Sequence, residues 1–163
     1  MINCSEYILD DVMAITAIPV EDIPASNPSS PANSLEPTIA GTGFNPTLTH
    51  AVTIGMQPAT AGGVLIPIKR MTGKAKDSED DSVAGRTHTV SVNCEVDDRD
   101  AGIWAHLLTL ERTPSHLVLT FRDGQRAFVS ATEDTYRCTT ERDGAKTTVT
   151  FRIQNFMGIQ MLV

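Results

Sequence analysis

The chain of 163 residues carries 20 acids against 13 Lys and Arg, a net charge of −7 with His neutral. That length accommodates one domain with a buried core, and the acidic balance argues against a general nucleic-acid binder, which needs clustered cations to neutralise phosphates. No apolar run approaches the roughly 20 residues that span a bilayer, and three widely spaced cysteines (Cys4, Cys94, Cys138) without a Cys-x-x-Cys pair point to packed free thiols in a reducing compartment rather than to a disulfide framework.

Residues 1–11 (MINCSEYILDD) are acidic where an export signal would be basic and then apolar, so export by that route is not expected. Residues 1–19 form an N-terminal strand unit: the β-branched run Ala14-Ile15-Thr16-Ala17-Ile18 predicts a strand, and Pro19 ends it. Residues 20–46 hold Pro24, Pro28, Pro31, Pro37 and Pro46 among Ser, Asn, Ala and Thr, a composition that predicts an extended arm with polyproline-like stretches. The core is assigned to residues 47–163. Its first strands are expected at 50–57 and 64–70, the second at an edge or with a bulge because Pro67 cannot donate to a ladder. Residues 72–85 hold Lys74, Lys76, Asp77, Glu79, Asp80 and Asp81 with almost no apolar side chain, and read as a long solvated loop.

Residues 86–96 then alternate, with Val90, Val92, Cys94 and Val96 on one face and polar side chains on the other, which predicts a half-buried antiparallel strand. Asp97, Asp98 and Asp100 read as cap and first-turn acids of a helix over 98–111, whose apolar face carries Ile103, Trp104 and Leu107. Pro114 closes it. Strands follow at 117–121, 127–131, 135–140 and 147–153, stitched by Arg122-Asp123-Gly124 and Arg142-Asp143-Gly144, two copies of an Asp-Gly hairpin signal. The apolar tail 156–163 is expected to dock, as a final strand or against a partner. The fold class is therefore mainly β, an antiparallel β-sandwich or barrel with one packed α-helix and a long extended N-terminal arm.

Chemistry is harder to find. His50, His88, His106 and His116 lack metal-ligand spacing to one another or to cysteine, and the chain has no nucleophile elbow, phosphate loop or dinucleotide fingerprint. The acids after Val96 lack the glycine and closing glutamate of a calcium loop. Catalytic residues, metals and cofactors are accordingly not expected. Arg122, Arg126, Arg137, Arg142, Lys146 and Arg152 alternate with aromatic residues along the hairpins, a pattern that reads either as a nucleic-acid face or as ordinary cross-strand ion pairs, and the Asp and Glu among them favour the ion pairs.

Strand and arm, two strands, a long polar loop, an alternating strand, one helix and terminal hairpins: this order resembles the β-sandwich shared by tailed-phage tail-tube proteins and their relatives in contractile injection machines. The resemblance is one of layout over most of residues 1–163. It implies a ring, usually a hexamer, whose long loop contacts neighbouring subunits or rings, whose arm crosses a boundary, and whose acidic lumen lets DNA pass without sticking. Residues 74–81 match the loop and 20–45 the arm, although the Pro-rich length departs from the family's short N-terminus and admits a tail-terminator, head-completion ring or baseplate protein. The expectation is a virion structural protein, not an enzyme, assembled in the host cytoplasm. Its partners would be copies of itself and other virion proteins, with no membrane and no specific nucleic-acid recognition. The interface candidates are Lys74, Lys76, Asp77, Glu79, Asp80, Asp81, Phe44, Met161 and Leu162. The alternative is a monomeric β-sandwich or barrel that binds a small ligand or a cell-surface partner; an enzyme comes third.

Overall fold

A computed structural model describes residues 6–20, 52–55, 64–83, 85–97, 99 and 101–162. The expected arm apart from Val20, and with it Phe44, His50 and Cys4, lies outside the described residues. The elements are β1 (Glu6–Pro19), β2 (Val52–Gly55), β3 (Val64–Ile66), β4 (Gly73–Ser82), β5 (Gly85–Val96), α1 (Ala101–Arg112), β6 (Ser115–Phe121), β7 (Arg126–Val129), β8 (Tyr136–Asp143), β9 (Lys146–Asn155) and β10 (Ile159–Leu162). They make a mainly antiparallel open sheet in the order β10-β7-β6-β1-β4-β5-β9-β8, with β2 and then β3 added beside β1. The β2–β3 pair is parallel. Pro67 follows the last residue of β3, the outermost strand of that branch, and its carbonyl accepts a hydrogen bond from Asp97 N–H at 3.0 Å.

One strand, β1, serves both halves of the sheet. Its first half pairs with β4 and its second with β6 on one edge and β2 on the other. A register shift between Leu9 and Val12 separates the halves, and there Asp11 takes a left-handed conformation (φ 66°) that L residues other than Asn and Asp seldom adopt. Ala14, Ile15, Ala17 and Ile18 are all buried, so this central stretch is covered on both faces. Ile15, Val92, Leu107, Leu119, Phe151 and Ile153 fill the space between the halves, each at most 1% exposed. From α1 come Ile103, Leu107 and Leu110, one stripe at helical spacing.

Two expectations need correction. Residues 72–85 are not a loop: β4 pairs with β5 from Lys74 opposite Asn93 to Ser82 opposite Gly85. The sequence hides this strand because its inward positions are Gly73, Ala75 and Asp77, too small or too polar to show as apolar alternation. The described helix begins at Ala101 with no acid in its first turn, and Asp98 and Asp100, assigned to its start, lie outside the described residues. Asp97 is not the cap; its carboxylate accepts from Arg99 Nε at 2.8 Å while its N–H continues the ladder beyond β5.

Candidate functional site

The β4–β5 hairpin outruns its neighbours. β4 pairs with β1 only as far as Ser78, opposite Glu6, and β5 pairs with β9 only from His88 onward. Residues 79–86 therefore project as a ribbon with no described strand on either side. Arg86, opposite Asp81 one rung from the end of the ladder, ties the two strands together, paired with Glu79 and 3.0 Å from Asp81. Asp80 and Asp81 are exposed, and Val83 stands fully exposed at the tip.

Asp77 has a different task. It is buried, with Oδ1 2.9 Å from His88 Nδ1 and Oδ2 accepting Ile159 N–H at 3.0 Å. Gly158 makes this possible: at φ 63° it lies where a Cβ would strike the Asp77 carboxylate and come within 2.7 Å of His88 Nδ1. Asn155 Oδ1 accepts from Gly158 N–H at 2.6 Å and Met157 N–H at 3.2 Å, fixing the turn into β10. The acid expected at a loop tip thus pins the C-terminal strand across the fold. Sequence reasoning passed over His88 and Asn155 here, although a glycine inside an apolar tail was the available signal.

Beside this latch a groove of about 510 Å3 opens between Leu9, Asp10 and Asp11 of β1, the β6–β7 turn and Met161 of β10. Residues two apart in an antiparallel ladder present N–H and C=O to the same side. Since Ile159 N–H points away from β7 toward Asp77, the backbone groups of Met161 also face away from β7, and no described strand takes them up. The side of β1 that meets β6 beyond Val12 has no described strand along Glu6–Leu9 either. Met161 is 43% exposed and Phe156 76%; of Leu162 only the backbone is described, opposite Arg126.

The outward face of β4, β5, β9 and β8 carries Lys74 and Lys76 together with Arg152 and Arg137. The cations of the hairpins were expected to find carboxylates, and Lys146 does, 2.8 Å from Glu95. Arg137 and Arg152 instead stand opposite each other in register. On the inner face, burial pushes the Cys94 and Cys138 thiols up to about 12, which keeps them protonated and poorly nucleophilic near neutrality. His116 is buried, accepts Ala131 N–H at its Nδ1 (3.0 Å) and packs on Phe128. Among the described residues no three His, Cys, Asp or Glu side chains converge as metal ligands, and no helix is long and apolar enough to cross a membrane. No protein-family model, curated protein or solved structure matches the chain.

Proposed function

We propose that the chain is a self-assembling structural subunit of a virion tail, a tail-tube protein or a related terminator, head-completion or baseplate ring, assembled in the host cytoplasm. The observation that carries this reading is the ribbon 79–86, which leaves the sheet with no described strand beside it. A lone two-stranded ribbon is marginal in water and gains order from a neighbour. It overlaps residues 74–81, which match the long contact loop in the layout this chain resembles. Its carboxylates and Arg86 suit a contact tuned by salt, while Phe156, Met157 and Met161 supply apolar surface elsewhere. Repeating one heterologous contact about an axis closes a ring, usually sixfold in that family.

Native mass measurement and negative-stain images test this reading. Integer multiples of the chain mass and rings or tubes are expected, with dissociation of at least about tenfold more at given concentration for Asp80→Lys combined with Asp81→Lys, a change of about 1.4 kcal/mol. A soluble monomer at high concentration overturns it and favours the second reading, a monomeric binding module, for which the groove beside Met161 is the supporting observation.

A further inference from the structure

We infer that the outer face of β4, β5, β9 and β8 binds the phosphate backbone of double-stranded nucleic acid. The register aligns one row across four strands: Lys76 stands opposite Ser91, Ser91 opposite Arg152, and Arg152 opposite Arg137. The next row reads Lys74, Asn93, Thr150 and Thr139. Burial alternates along each strand, so that Ala75, Val92, Phe151 and Cys138 turn to the core and these residues turn outward. No carboxylate stands in either row. With strands about 4.8 Å apart and about 3.4 Å per residue, the cations cover roughly 14 by 7 Å, enough to meet several consecutive phosphates.

The pairing of Arg137 with Arg152 is the feature that packing leaves unexplained. Both are exposed direct cross-strand partners, and like charges in that position repel. A bound anion between them converts that repulsion into attraction. Ser, Thr and Asn donors interleaved with Lys and Arg are the usual company of phosphate oxygens. Neither row contains an aromatic ring on which an unpaired base could stack, so the face fits a duplex backbone and reads no sequence.

The net charge of −7 does not forbid this, because no acid stands within the two rows on these four strands; the nearest lie in the β1 bulge beside Lys74, at Asp10 and Asp11, and in the flanking rows. Flanking rows hold Glu6 on one side and Glu95 and Glu141 on the other, and Glu95 is already engaged by Lys146 at 2.8 Å and Lys69 at 3.9 Å. Asp80, the nearest outward acid of the ribbon, is four residues from Lys76, about 13 Å along the strand. That exceeds the screening length of about 8 Å at physiological salt.

The proposal goes beyond assembly and does not require a ring. Its test is anisotropy of a labelled random-sequence duplex of about 30 base pairs, titrated with the full chain as salt rises from about 50 to 200 mM. Binding is expected at a Kd between about 10⁻⁴ and 10⁻⁶ M, weakening steeply with salt. Arg137→Gln with Arg152→Gln should lower affinity about tenfold or more and flatten the salt slope by about two. Arg99→Gln, which removes an exposed cation off this face, should change neither. Melting and native mass of the double variant, measured in parallel, should be unchanged or more stable, so lost binding reports the face and not the fold. A monomer that binds duplex removes the tail reading and leaves this one standing. Wild-type affinity no higher than that of the double variant overturns it, as does binding to phosphatidylserine vesicles without binding to duplex.

Discussion

At the β8 end of the sheet the helix lies along the last strand: Glu111 accepts Thr140 N–H at 2.9 Å, the Tyr136 hydroxyl donates to Leu110 C=O at 2.7 Å, and the Arg142 guanidinium sits 5.2 Å over Trp104. At the other end, β10 and the first half of β1 turn backbone groups into an open groove, with exposed apolar side chains nearby. A bare strand edge is a template for pairing, and folded proteins cover the edges they do not use. The covered end therefore serves stability and the open end is available for contact.

The largest expected effect probes the dry interior of the covered end. Burial raises the Cys94 and Cys138 thiols from the ordinary 9 to about 12 and raises the Tyr136 phenol as well. Folded-state values above the unfolded ones mean that this contribution is intact below about pH 9 and is lost as pH climbs toward 12. Circular dichroism should show cooperative unfolding in that window, and Cys94→Val with Cys138→Val should move the midpoint upward. A wild-type fold that persists past pH 12 would mean water reaches this end.

Next in size is Leu107→Ala, expected to cost about 2 to 5 kcal/mol in denaturant unfolding because the side chain is 1% exposed. Met161→Ala, at the open end, should stay within about 0.5 kcal/mol. Equal losses would erase the contrast.

Gly158→Val forces a β-branched residue to φ 63° at a cost of about 1 to 3 kcal/mol before its collision with Asp77. Combined with Asp77→Ala, the clash with the carboxylate disappears and only that with His88 Nδ1 remains, so the two changes should couple measurably in a double-mutant cycle. Additive losses would show that the latch relaxes without strain.

The smallest change sharpens the comparison most. Glu111→Ala should cost about 1 kcal/mol and leave Thr140 N–H uncovered. Light scattering should then report concentration-dependent self-association through β8. If the variant stays monodisperse, covering that edge is not what Glu111 does.

The legible parts of the fold are those where pattern and burial coincide. β5 and β9 alternate large apolar with polar side chains, and both are legible as strands. β4 did not, since Gly73, Ala75 and Asp77 pack inward only because β5 and β10 stand where they do. The two Arg-Asp-Gly turns look alike in sequence yet differ in geometry. Asp143 stays in the ladder opposite Lys146, leaving Gly144 (φ 59°) at the first turn position, as a type II′ turn requires; the first closes wider, with Phe121 N–H donating to Gln125 C=O. Tertiary position, not local preference, decided both cases. The candidate site was less legible still: acids were visible at 77–81, but the meeting of Arg137 with Arg152 depends on register, which a binary pattern does not fix across separate strands.

The place of β1 in the middle of the sheet also sets an order of events. Val12 stands opposite Gly73 on one side and Phe121 on the other, whereas β8 and β9 are joined by two residues and β4 and β5 by a similarly tight turn. Distant pairings bear the loop-closure entropy before any contact rewards it, so high contact order slows folding. The local hairpins should acquire amide protection first, and Ile15 and Leu119, partners in the sheet centre, last. Until then the apolar stretch around Ile15 has no mate. Refolding should accordingly be slow, with a yield that falls as protein concentration rises.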